Sequence, residues 1–277
     1  RMTLDELRQD PRIEAVGWSA DEWRWVLEQV LGLSPLDRLR EPERQWAPEA
    51  CQPIYDLAAR ALQGEPLAYL LGVAYFDGLP IHVSPSVLIP RPDTEILLQT
   101  ALQKMPNERA RVLDLGTGSG ALALAMKKHR PAWQVTATDV DPEALAMARN
   151  NAERLSLDVT WVQADGLTGL SSFDLIVSNP PYIAINDPDV DHCVHAHEPH
   201  LALYSGVDGL ALIRRLIAEA QNHLVDGGWF CLEHGWQQKE AVESLARNAH
   251  WDSVETVPDL AGRDRVTLMR KPHATDV

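Results

Sequence analysis

A chain of 277 residues, 45% hydrophobic and 23% charged, is long enough for one large domain or two modest ones and has the composition of a folded globular protein. That excludes collagen-like repeats, wholesale disorder and disulfide miniproteins. A formal charge of −15 repels a polyanion unless a basic stripe compensates. The densest basic cluster is only Lys127, Lys128 and Arg130, so no direct nucleic-acid partner is expected.

The start, Arg1 to Asp10, is polar and lacks the apolar core of a signal peptide, and no apolar run of about 18 residues follows. The expectation is a cytoplasmic protein without a membrane partner. Cys51, Cys193 and Cys231 lie far apart with no Cys-x-x-Cys spacing, which fits free thiols and no metal site.

Residues 1–72 read as a helical domain. Ser19 and Glu22 have capping-box spacing, and Trp23, Val26, Leu27, Val30 and Leu31 then recur at helical intervals until Gly32. Pro48 to Gly64 carries Ile54, Leu57, Ala58, Ala61 and Leu62 on one face, and Leu67 to Gly72 extends or caps the bundle. Trp18, Trp23, Trp25 and Trp46 fall in this segment. The simpler reading is a small core that needs bulky residues, the sharper one an aromatic contact surface. Residues 73–92 form a linker with short β-like runs, Ala74 to Phe76 and Ile81 to Val83, around the hairpin turn signal Asp77-Gly78, stiffened by prolines 80, 85, 90 and 92.

From residue 93 to 277 helices and strands alternate. Helical segments are Ile96 to Met105, Ala121 to Lys128, Pro142 to Leu155, Gly209 to Leu224 and Gln237 to Arg247. Strands are Arg111 to Leu115, Gln134 to Thr138, Val159 to Val162, Phe173 to Val177, Gly228 to Glu233, Val254-Glu255 and Val266 to Met269. This rhythm implies an α/β domain with a mostly parallel sheet covered on both faces.

Asp114-Leu115-Gly116-Thr117-Gly118-Ser119-Gly120 follows the first of these strands and opens a helix. Alternate glycines let the turn adopt positive φ and let a ligand approach the backbone, while the helix N-terminus offers unpaired N–H groups. Asp139 ends the second strand, where an acidic group accepts from ribose hydroxyls. A dinucleotide and S-adenosylmethionine both fit this much. The spacing is GxGxG rather than GxGxxG, and S-adenosylmethionine brings a carboxylate for the helix end and an amino group for Asp114. Asp165, followed by Gly166, stands after the third strand within reach of an adenine amino group.

Ser178-Asn179-Pro180-Pro181-Tyr182 follows the fourth strand directly. In an open parallel sheet the ligand crevice lies outside the carboxyl ends of the strands, so Asn179 and the glycine loop are expected to face one cavity. Prolines donate no backbone hydrogen bond but their carbonyls accept, and Asn179 adds a side-chain oxygen. Such a rigid set of acceptors suits a planar NH₂ group.

The Asn179 to Tyr182 signature together with Asp114 to Gly120 resembles the amino-methyltransferases that act on adenine N6, cytosine N4 or glutamine N5. More closely, the chain is similar to the HemK/PrmC-type protein methyltransferases. The likeness extends through Gly64-Glu65-Pro66, Leu88 to Glu95, Glu198-Pro199 and Glu233 to Gln238. It implies a seven-stranded, Rossmann-like class I methyltransferase domain with S-adenosylmethionine bound by Asp114, Gly116, Thr117, Gly118, Ser119, Gly120, Asp139, Asp165, Gly166 and Asn179.

It further implies a class I peptide chain release factor as protein substrate, methylated on the amide N5 of its Gly-Gly-Gln glutamine. Asn179 and the Pro180 carbonyl would hold the NH₂ for in-line attack on the methyl carbon, Pro181 would keep the motif rigid and Tyr182 would wall the substrate amide. Arg91 to Glu95 leans toward these enzymes over their ribosomal-protein glutamine methyltransferase relatives. That relative's activity and, further off, an adenine N6 nucleic-acid methyltransferase are the alternatives. The departures are Gly166, where the family often has an aromatic residue, and Ala196-His197, where it tends to have Arg-Phe. His192, His195, His197 and His200 read as a polar substrate loop rather than a metal site, and Glu233-His234 as structural or substrate-contacting before catalytic.

Overall fold

A computed structural model describes residues 1–106, 109–180, 197–199, 205–206 and 209–274. Pro181, Tyr182, His192, Cys193, His195 and His200 lie outside these residues. The chain divides into two compact units, Arg1–Val73 and Ala74–Val277.

The smaller unit contains α1 (Leu4–Gln9), α2 (Pro11–Glu14), α3 (Ala20–Leu31), α4 (Pro35–Arg40), α5 (Pro48–Leu62) and α6 (Leu67–Leu71). The capping box of α3 is made in both directions: the Glu22 N–H donates to Ser19 Oγ at 3.1 Å and the Ser19 N–H donates to Glu22 Oε1 at 3.0 Å. Gly32 ends the helix at φ 68°, a left-handed value that glycine takes without penalty. Thr3 with Glu6 and Ser34 with Asp37 cap α1 and α4 in the same way, starting helices too short to show apolar periodicity. Leu7, Ile13, Trp23, Val26, Leu27, Cys51, Ile54 and Tyr55 form the core, with Trp18 and Trp46 packed against it. Three of the four tryptophans therefore serve packing.

In the hairpin β1 (Val73–Phe76) and β2 (Leu79–His82), Asp77 and Gly78 both have positive φ, as a two-residue turn between twisted strands demands. Phe76 and Ile81 are buried. The Asp77 N–H donates to Glu95 Oε1 at 2.7 Å and the His82 N–H to Asn151 Oδ1 at 2.8 Å. The stretch 74–92 is thus fastened into the body of the larger unit.

That unit continues with α7 (Thr94–Lys104), β3 (Arg111–Leu115), α8 (Ala121–His129), β4 (Gln134–Asp139), α9 (Pro142–Leu155), β5 (Thr160–Gln163) and β6 (Phe173–Ser178). After these come α10 (Ala211–Glu219), β7 (Leu224–Glu233), α11 (Lys239–Asn248), β8 (Ser253–Pro258) and β9 (Asp264–Arg270). The seven-stranded sheet has the order β5-β4-β3-β6-β7-β9-β8, with β9 antiparallel to both of its neighbours and the other pairings parallel. This is the class I methyltransferase fold expected from the sequence. Leu113, Ile176, Phe230 and Leu232 of the central strands pack with Ile213 and Leu216 of α10 and Val242 of α11. Strands covered on both faces carry apolar runs, as Leu175 to Val177 of β6 and Trp229 to Leu232 of β7 do.

One boundary is corrected. The helix expected from 209 to 224 ends at Glu219, continues as a 3₁₀ turn over Ala220–His223, and Leu224 already begins the strand expected only from 228. Asp226-Gly227-Gly228 resembles a turn, yet the pairing with β6 passes across it through a register shift between Phe173 and Leu175, and Gly227 takes φ 77° inside the strand.

The chain runs from β3 outward to β5 in one direction and from β6 to the far edge in the other. The carboxyl ends of β3 and β6 therefore flank the point where strand order reverses, the place where open α/β sheets bind ligands. Among the described residues no helix is long and apolar enough to cross a membrane.

Candidate active site

A cavity of about 600 Å³ opens at that reversal point, walled by the glycine loop, Asp139, Asp165, Asn179 and Pro180, with the segment 86–91 and Thr94 closing one side. The sequence-predicted residues within the described set are thus brought together, with one difference. Gly120 does not line the cavity. At φ 87° its absent Cβ would lie 3.0 Å from Ala148 Cβ and 3.1 Å from the Trp161 ring, so glycine there lets α8 sit close to α9 and β5.

The loop is shaped from below by β4. The N–H groups of Gly116 and Thr117 both donate to the Thr138 carbonyl, at 2.9 and 2.7 Å, and the Gly118 N–H donates to Asp139 Oδ2 at 2.9 Å. Asp139 Oδ1 accepts from the Asp141 N–H at 3.0 Å. Each carboxylate oxygen keeps a second lone pair for a ribose hydroxyl. Burial raises the Asp139 pKa against these N–H donors. Asn151, buried in α9, ties the loop to the hairpin: its amide nitrogen donates to the carbonyls of Ser119, at 2.9 Å, and His82, at 3.0 Å. A polar residue among the small apolar residues of a helix was the only sequence hint of it.

Asp114 is 2% exposed at the floor. Burial pushes its pKa up to about 7, opposed by a 2.7 Å hydrogen bond from the Thr117 hydroxyl and aided by the charge of Asp139. A buried carboxylate this poorly compensated is matched to a ligand that arrives with a cation, such as the ammonium of S-adenosylmethionine. The positive-φ glycines beside it leave the backbone open to the rest of that molecule, so the residues present fit it.

Asp165 stands exposed at the rim. Arg215 of α10 donates to its Oδ1 at 2.9 Å, to its carbonyl at 3.1 Å and to Thr168 Oγ1 at 3.4 Å. A Cβ on Gly166 would lie 3.0 Å from both Cζ and Nη2 of that guanidinium. An edge-on approach would leave Cζ farther than the nitrogens, so the arginine lies face-on over the glycine. Gly166, which stands where the family often has an aromatic residue, is therefore covered by Arg215, a residue that no sequence motif singles out.

Asn179 sits just past the end of β6, and the Ser178 hydroxyl, donating to the Leu115 carbonyl at 2.9 Å, ties the ends of β6 and β3 together. The Asn179 amide nitrogen donates to Thr94 Oγ1 at 3.2 Å. Thr94 begins α7, and its own N–H donates to the Arg91 carbonyl at 3.1 Å. The buried carboxylate of Glu198 holds this segment from the other side: it pairs with the Arg91 guanidinium and accepts from the Ile89 N–H at 2.9 Å. Glu198 thus has a structural partner, which the sequence motif Glu198-Pro199 did not specify.

Glu233 and His234 are both buried at the end of β7. His234 Nδ1 faces the Gly235 carbonyl at 2.8 Å, so it carries the proton, and Nε2 accepts from the Thr267 hydroxyl at 2.8 Å. With both nitrogens engaged and its pKa lowered by burial, the imidazole is a neutral structural group.

Comparison with known proteins matches residues 12–72 to the PrmC N-terminal domain and residues 92–196 to the methyltransferase small domain. A release factor glutamine methyltransferase of Salmonella typhimurium is 46% identical over 222 residues, covering 79% of this chain and 80% of that protein. One of Bordetella pertussis is 43% identical over 268 residues, covering 95% and 97%. Among solved structures, the Thermus thermophilus 16S rRNA N2 G1207 methyltransferase, in complex with AdoMet and guanosine, superposes with a TM-score of 0.55 at 22% identity, covering 72% of this chain and 49% of that one; at that identity the likeness is one of fold. With such identity over most of its length, the chain belongs to the release factor glutamine methyltransferase family.

Proposed function

We propose that this chain transfers the methyl group of S-adenosylmethionine to the side-chain amide N5 of the glutamine in the Gly-Gly-Gln motif of class I release factors. The observation that carries the reading is that Asn179 and Pro180 line the same cavity as Asp114, Asp139 and the glycine loop. The donor supplies an electrophilic methyl on a sulfonium centre. Asp114 holds the donor's ammonium, Asp139 its ribose, and Asp165, through the oxygen that Arg215 does not hold, its adenine amino group.

An amide nitrogen is a weak nucleophile because its lone pair is delocalised into the carbonyl. Asn179 Oδ1 and the Pro180 carbonyl, as two acceptors, take its hydrogens, favour a pyramidal nitrogen and aim the lone pair at the methyl. Orientation of this kind contributes up to about 7–11 kcal/mol. As the N–C bond forms the methyl's C–S bond breaks and the sulfur leaves as a neutral thioether; the nitrogen, strongly acidic once methylated, then gives its proton to water without a dedicated base.

The test is incubation with S-adenosylmethionine and purified release factor, followed by peptide mass spectrometry. A mass gain of one CH₂ on the Gly-Gly-Gln glutamine is the expected result. Methylation of a ribosomal protein or of adenine in its place, with the release factor unmodified, overturns the reading.

A further inference from the structure

We infer that Thr94 is a positioning residue for methyl transfer, holding the Asn179 carboxamide with its oxygen toward the acceptor. The inference deepens the proposed function and rests on it, because it takes the acceptor to be an NH₂ group. A carboxamide has a donor end and an acceptor end of nearly equal size, and only the hydrogen bonds around it decide which faces a ligand. Presented nitrogen-first, Asn179 would set N–H against N–H and repel the group it is meant to hold.

In the structure Asn179 Nδ2 donates to Thr94 Oγ1 at 3.2 Å. Two atoms on one planar sp² group point apart, so committing Nδ2 to Thr94 turns Oδ1 away from it, and both residues line the cavity. Thr94 is itself 7% exposed and has little freedom. Its backbone is pinned by the hydrogen bond to the Arg91 carbonyl, and Arg91 is fixed by the buried carboxylate of Glu198. On the next residue, Glu95 anchors the hairpin through the Asp77 N–H. The hydroxyl is thus delivered to Asn179 by a turn fastened on both sides, which gives the segment 88–95 a function beyond closing the cavity wall.

The experiment compares Thr94→Val, which keeps the shape and loses the acceptor, with Thr94→Ser, which keeps the acceptor. Steady-state kinetics on intact release factor, calorimetric S-adenosylmethionine binding and thermal melting are measured on each full-length protein. Thr94→Val is expected to lower kcat by up to about 100-fold, the scale of a misplaced reacting group, with KM, donor affinity and melting temperature near wild type. Thr94→Ser is expected to restore most of the loss. A Thr94→Val enzyme with kcat close to wild type overturns the inference. So does a loss that serine fails to restore, or one matched by lower stability and weaker donor binding, since each marks a packing role. The functional reading fails separately, when the wild-type enzyme leaves release factor unmethylated.

Discussion

At the scale of single residues the least comfortable group is Asp114, whose pKa burial lifts from 3.8 to about 7. Between those values the folded chain retains a proton that the unfolded chain has shed, so this group makes the free protein less stable as pH rises through the window. An ammonium placed beside it favours the ionised form, so below about pH 7 the donor must displace that proton to bind. S-adenosylmethionine affinity is therefore expected to weaken by as much as about tenfold per pH unit on acidification, with proton release visible as a dependence of the calorimetric heat on buffer ionisation enthalpy. Flat affinity and no release would remove Asp114 from the ammonium. Asn179→Ala acts on the other ligand: loss of a placed polar group at a reacting centre costs about 2.7–4 kcal/mol, a few hundredfold in turnover. Single-turnover rates should show that loss while donor binding stays near wild type, and undiminished turnover would end its acceptor role.

At the scale of elements, the turn between β2 and α7 owes its shape to a residue far along the chain. Glu198→Ala strands the Arg91 guanidinium, removes the acceptor of the Ile89 N–H, and frees the segment that carries Thr94. Because Arg91 is partly solvated, the cost is expected at the low end for a broken buried pair, about 3 kcal/mol, read as a lower melting temperature together with reduced kcat. Unchanged melting would mean that Glu198 is not the clamp. This contact also shows where sequence reading stops. Capping boxes, glycine stops and apolar strands are written in neighbouring residues, so α3, α9 and β3 were legible within a residue or two. The start of β7 was not, because a bulge that looks like a turn is recognisable only against the partner strand. Asp114, Asp139 and Asn179 could be placed because each lies within a residue of the carboxyl end of a strand on the same sheet edge. Thr94, Asn151 and Arg215 could not, since their partners are defined only by folding.

At the scale of the molecule there are two units with separate cores, and the larger one holds the sheet and all the described residues that line the cavity. A chain beginning at Val73 is therefore expected to bind S-adenosylmethionine like the full protein, and to methylate intact release factor with a much lower kcat/KM if the helical unit recognises that partner. Equal efficiency would place recognition in the larger unit. Since the tryptophans are mostly spent on packing, the exposed Leu36 and Leu39 of α4 are the better apolar contacts for such a role. The strand order has a consequence of another kind. Because direction reverses between β3 and β6, the glycine loop, Asp139 and Asp165, proposed to hold the donor, lie in one unbroken stretch, 114–166, whereas Thr94 and Asn179, proposed to serve the acceptor, flank it on either side. On that proposal, a lineage exchanging one acceptor for another can accumulate changes outside this stretch while its donor grip stays fixed. Arg215, reaching back from α10 to Asp165, is where drift in one half would be felt in the other.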